Sequence, residues 1–124
     1  MSGALDSITS SLISRALDVS VANHQAIAHN IANASTLGYQ PLKLNFEEIM
    51  AEMQDVLGTV SDAGEAKAAL SDISLSFMPG EEGLGVQLDA EMVAMSINTT
   101  HYQALLSARS QWTSLMGLAI KGGR

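Results

Sequence analysis

Apolar positions recur at helical spacing near both ends of the chain. Leu5, Ile8, Leu12, Ala16, Val19, Asn23, Ala26 or Ile27, and Asn30 step by three and four, which predicts one long helix over residues 4–34. Its stripe is coiled-coil-like but thin in large side chains. Asp6 suits the positive end of the helix dipole. Gly38, which turns left-handed cheaply, and Pro41, which blocks a return to helix, mark the stop. A second run, over 42–56, sets Phe46, Ile49, Met50, Met53 and Val56 or Leu57 against Glu47, Glu48, Glu52 and Asp55, and predicts a shorter helix. Residues 58–72, "GTVSDAGEAKAALSD", are small and polar and read as a flexible connection. "ISLSF" at 73–77 alternates like a strand, "PGEEGLG" turns the chain, and "VQL" at 86–88 can pair back as a small hairpin.

The pattern predicts a second long helix over residues 89–121, with Asp89 as N-cap, Glu91 in the first turn and Gly122-Gly123 as the stop. Leu88, Met92, Met95, Tyr102, Leu105, Leu106, Met116 and Ile120 form a broad stripe. Val93, Ile97, Trp112, Leu115 and Leu118 carry the apolar surface further around. One partner helix covers a narrow seam, and a helix apolar nearly all round is buried on several sides. The pattern therefore predicts cover from other molecules. The expected fold is mainly α, one domain over 1–124. Helices at 1–34 and 89–121 pack as an antiparallel coiled pair, each roughly 45 Å long at about 1.5 Å per residue. Residues 35–88 carry the turn, short helix, flexible loop and hairpin.

Composition narrows the class. Hydrophobic residues are 47% but aromatics only 4%, with seven methionines, which favours helices packed closely along their length over a large core. Residues 46–91 hold 11 acids against Lys67 alone, giving −10; residues 92–124 hold Arg109, Lys121 and Arg124 with no acid, giving +3. No basic cluster suits a phosphate backbone, so nucleic acid is not an expected partner. The absence of cysteine excludes disulfides, thiolate metal sites and cysteine nucleophiles. The start lacks a basic region and a continuous apolar stretch, so no secretory signal is expected. No run approaches the roughly 18 residues of a membrane span.

Catalytic chemistry finds little footing. His24 and His29 are five apart rather than the four that aligns two ligands, and His101 is distant. Glu47, Glu48 and Glu52 read as a solvated face, and "GEEGLG" is too acidic to cradle phosphate. No enzyme activity, metal, cofactor or small-molecule substrate is expected. The asparagines are more telling: Asn23, Asn30 and Asn33 lie within about 80° on a helical projection. An amide both donates and accepts, so it can satisfy orphan backbone groups at a helix end or fix register in a seam.

The stretch "ANHQAIAHNIANASTLGYQ" resembles the N-terminal signature of bacterial flagellar basal-body rod and hook proteins, with Asn30, Ile31, Ala32, Asn33, Ala34, Thr36, Gly38 and Tyr39 matching its core. "LDAEMVAMSINTTHYQALLSA" resembles the family's C-terminal region through Glu91, Met92, Asn98, Tyr102 and Gln103. The short length, and Asn98 four residues before Tyr102, are most similar to B-type proximal rod subunits. The C-type is second, since Leu105 replaces its usual asparagine after Tyr102-Gln103-Ala104. The resemblance implies a structural subunit of the proximal rod. Its terminal helices would line a hollow axial shaft crossing the periplasm, after type III export without a cleaved signal. It implies as partners copies of the chain, other rod proteins, membrane-ring and ring-to-rod adaptor components, and the export gate. In that family gate recognition often uses a phenylalanine near the N-terminus. None precedes Phe46 here, leaving Leu5, Ile8 and Leu12 as candidates. Expected packing residues are Asn30, Ile31, Asn33, Ala34, Thr36, Gly38 and Tyr39 at the turn. On the second helix they are Glu91, Met92, Met95, Asn98, Tyr102, Leu105, Leu106, Trp112 and Leu118.

Overall fold

The computed structural model describes residues 2–80 and 85–122, with side chains from Ser7 onward. Four helices and one two-stranded sheet follow in the order α1 (Ser2–Ala32), β1 (Leu42–Leu44), α2 (Phe46–Thr59), α3 (Ala63–Ser71), β2 (Phe77–Pro79) and α4 (Leu88–Gly122). The fold is mainly helical, and the two long helices pack against each other. Most of the "PGEEGLG" turn, Gly123, and the side chains of Leu5 and Asp6 lie outside the described residues.

The core does not sit between the long helices. It lies on the other side of α1, where Val19 and Ala22 meet Leu44 of β1, Ile49 and Met53 of α2, Leu70 of α3 and Ile73 beyond it. Ile49 and Leu70 are the largest fully enclosed side chains described. Alanines at 22 and 26 are buried and let neighbouring backbone come close to α1. Arg15, also on α1, donates to the Ile73 carbonyl and pairs with Asp18 at 3.3 Å, strapping the end of α3 to the first helix. On α4, among the described residues, Asn98 is the one buried side chain.

The middle of the chain departs from the sequence expectation in three ways. Residues 58–72 are not a flexible connection: α2 runs on to Thr59, and α3 occupies 63–71. The Asp62 carboxylate caps α3 by accepting from the Glu65 N–H at 3.2 Å, and Ala66 and Leu70, four apart, are buried. Small residues that suggested flexibility are good helix formers once a cap and two buried positions are supplied. Second, the predicted hairpin of 73–77 with 86–88 does not form. β2 instead pairs antiparallel with β1, in the register Leu42↔Pro79, Lys43↔Met78, Leu44↔Phe77. The ladder is extended by Asn45 N–H to the Ser76 carbonyl (3.0 Å) and Gly80 N–H to the Pro41 carbonyl (2.8 Å). Residues 42–44 are thus strand rather than the start of the short helix. Asn30 holds the backbone of Leu42, and pairing with β2 holds 42–44 extended, so the helix begins at Phe46. Third, Asp89 is not the N-cap of α4. Helix starts at Leu88, the Glu91 N–H bonds the Gln87 carbonyl, and Asp89 and Glu91 both stand in the first turn near the positive end of the dipole.

Candidate functional site

The end of α1 is closed by side-chain amides. Asn30 is buried, and its amide faces the backbone of Leu42 from both sides. Its Oδ1 accepts from the Leu42 N–H (2.8 Å), and its Nδ2 donates to the Leu42 carbonyl (2.9 Å). A single side chain thereby imitates a neighbouring strand. The same Oδ1 accepts from the Tyr39 hydroxyl at 2.7 Å. Leu42 fixes which end of the amide is oxygen, so Tyr39 must give its one proton to Asn30. His29 Nδ1, 2.8 Å from the Tyr39 oxygen, must then be the donor of that pair. Desolvation and the nearby Glu91 charge both hold the Tyr39 phenol above its ordinary pKa.

Asn33 and Thr36 shape the turn itself. Asn33 Nδ2 donates to the His29 carbonyl (2.9 Å), and the Thr36 hydroxyl donates to Asn33 Oδ1 (3.1 Å). Gly38 then takes φ +76°, a left-handed angle that only glycine adopts without strain. Ile31 and Ala34 are half-buried, while Thr36 and Gly38 are exposed.

A second amide cluster joins the long helices. Asn98 is buried on α4. Its Nδ2 donates to the Ser20 carbonyl of α1 (2.9 Å), and its Oδ1 accepts from Asn23 Nδ2 (3.0 Å) and more weakly from the Ser20 hydroxyl (3.4 Å). Ser20 carried no signal in the sequence beyond its place between Val19 and Val21. Asn45 repeats the device at the sheet: it accepts from the Ser76 N–H (2.9 Å) and donates to the Ser74 carbonyl (3.2 Å).

The remaining residues expected to pack on α4 divide by burial. Glu91, Met95, Tyr102, Leu105, Trp112 and Met116 are half-buried, and with Asn98 they step mostly by three and four. That seam is narrower than the sequence stripe. Met92 (58% exposed), Leu106 (41%) and Leu118 (65%) face away from it. Between α1, β1, α2 and α4 lies an open groove of about 710 Å³. Val19 and Ile27 of α1, Phe46 and Met50 of α2, and Ile97 and Leu105 of α4 line it. Among the described residues no three histidine, aspartate or glutamate side chains gather as a metal centre would require, and no helix is long and apolar enough to cross a membrane. No family model matches the sequence, and no curated protein aligns with it significantly.

Proposed function

We propose that the chain is a structural subunit of the bacterial flagellar basal-body rod, B-type proximal in preference to C-type, which polymerises through its long helices after type III export. The observation that carries this reading is the chemistry of the signature residues. Asn30, Tyr39 and Gly38 close the end of α1, and Asn98 joins α4 to α1, so both stretches of resemblance serve one frame. In this reading α1 and α4 run antiparallel as a coiled pair. Asn98 opposite Ser20 and Asn23, and Glu91 near Tyr39, support opposite directions. The alternation of three and four along the half-buried seam of α4 supports coiling. The exposed apolar surface of α4 is then the face that meets other subunits, whether copies of this chain or other rod and ring components. The protein would reside in the rod, across the periplasm.

A second reading, a secreted or adaptor helical coiled-coil module outside the rod, draws support from the closed core between α1 and the middle segment, which needs no partner for its burial. Deleting the encoding gene and imaging purified basal bodies separates the two. A rod subunit leaves rings without a rod and cells without motility, both restored by the wild-type chain. Intact rods in the deletion strain would sink the rod reading.

A further inference from the structure

The two sides of α1 hold their neighbours by different means. On one side lies the core, where Val19 and Ala22 meet Leu44, Ile49, Met53, Leu70 and Ile73, with Leu12, Val56 and Leu75 packed around them. None of these residues belongs to α4. On the other side lies α4, whose one buried side chain among those described is an amide, Asn98. Among the described residues, every hydrogen bond from α4 to another element runs through Asn98. It donates to the Ser20 carbonyl (2.9 Å) and accepts from Asn23 Nδ2 (3.0 Å) and the Ser20 hydroxyl (3.4 Å). Its seam neighbours Met95, Tyr102 and Leu105 are only half-buried.

A polar catch and an apolar core respond differently to opening. Water replaces the partners of an amide, so each such bond favours the closed state by only about two- to tenfold. Water cannot replace the burial of Ile49 or Leu70, which are fully enclosed. The catch is also close to solvent, since Ser20, Asn23 and Asn98 all line the open groove. We infer that α4 opens from α1 as one arm, with Asn98 as its catch, while α1 stays packed on the middle segment. The amides fix where the arm sits more than how tightly it is held. Opening bares Ser20 and Asn23 on α1, so the closed chain hides a face of its first helix that the open chain can offer.

Amide exchange of the full chain at rising urea, below the unfolding transition, tests this. Amides from 92 to 105 should open together, with a weaker urea dependence than those from 17 to 30, because opening the arm exposes less surface than unfolding the chain. Ile49→Val thins the core on the far side of α1. It should lower protection at 49–53 and 66–70 by roughly two- to tenfold and leave 92–105 unchanged, because the arm opens before the core does. Asn98→Ala should lower both sets by the same factor, about tenfold, since both openings pass through release of the arm. Asn23→Ala removes one bond of the three and should act the same way at smaller size. If Ile49→Val lowers protection at 92–105 as much as in the core, α4 opens only when the whole chain unfolds, and the arm is overturned. If Asn98→Ala leaves 92–105 unchanged, Asn98 is not the catch.

Discussion

The second half of α1 and the second half of α4 are both long, regular and rich in small apolar residues, yet the fold treats them oppositely. From Leu17 to Asn30, α1 is buried at Leu17, Val19, Ser20, Ala22, Ala26, Ile27 and Asn30, and touches β1, α3 and α4. Its buried polar groups Ser20 and Asn30, and the half-buried Asn23, are each bonded across to another element. From Leu106 on, α4 buries none of its described side chains, and Leu115, Leu118 and Ile120 are more than half exposed. One helix is covered within the chain; the other leaves apolar surface exposed. Local helix propensity does not distinguish them. The difference comes from what the intervening 50-odd residues wrap around, and they wrap α1.

The largest expected consequence is in backbone stability. Amides from 17 to 30 should exchange with solvent only on global unfolding, at a cost on the order of 5–15 kcal/mol for a domain. Amides from 108 to 120 should open locally and exchange orders of magnitude faster. Amide exchange on dilute protein measures both. Equal protection of the two segments would mean that the distal end of α4 finds cover in the monomer, and the comparison would fail.

A smaller effect isolates the amide clamp. Asn30→Leu keeps bulk and helicity but strips partners from the Leu42 N–H and carbonyl and from the Tyr39 hydroxyl. Each unsatisfied buried group costs about 1–3 kcal/mol, and this edge is only partly buried, so we expect about 2–4 kcal/mol in urea unfolding. Asn33→Leu, by contrast, loses bonds that lie at the exposed side of the turn. Its effect should stay near 1 kcal/mol. Equal losses would show that burial does not set the worth of these amides.

These clamps also mark how far the sequence could be read. The long helices were legible to within two residues of each boundary because their periodicity repeats over eight or more turns. The asparagines stood out because helices seldom gather amides at their ends without a use for them. Their partners were not legible: Asn30 with Leu42 required the path of the turn, and Asn98 with Ser20 required the register of two elements 78 positions apart. α3 was missed because its cap and its two buried residues mean little until α1 lies against them. The strands were missed because three-residue strands are defined by their partner, and β1 and β2 are separated by two helices. Alternation in "ISLSF" did report a burial gradient, from buried Ile73 through half-buried Leu75 to exposed Phe77. It did not report pairing.

The Tyr39 hydroxyl sharpens the comparison through pH. Its pKa is raised in the folded state by desolvation and by Glu91. The folded state therefore keeps the proton to higher pH than the unfolded chain does. The stability it contributes is complete below the ordinary phenol value of about 10 and is lost as pH rises from there through the folded value. Tyr39→Phe removes a hydrogen bond worth about 1 kcal/mol at neutral pH. It should also flatten the decline of the urea midpoint between about pH 9 and pH 11. If wild type and variant decline in parallel, Tyr39 is not held protonated by its place in the clamp.

The smallest effect on the isolated chain is the most diagnostic of the two halves. Leu105 is half-buried on the side of α4 that faces the groove and α1, whereas Leu118 is 65% exposed. Truncating a well-buried leucine costs about 2–5 kcal/mol, and a half-buried one correspondingly less, so Leu105→Ala should cost about 1–2 kcal/mol. Leu118→Ala should change stability by less than about 0.5 kcal/mol, as an exposed substitution does. Under the proposed rod function, incorporation into basal bodies should respond in the other direction. Leu118→Ala leaves the fold intact, so any loss of rod content at normal expression reports a missing contact between molecules rather than a damaged subunit. Measuring urea midpoints and rod content on the same two variants therefore separates a surface that completes the chain from one that completes an assembly. A silent Leu118→Ala in both measurements would mean that the exposed face of α4 is simply solvated.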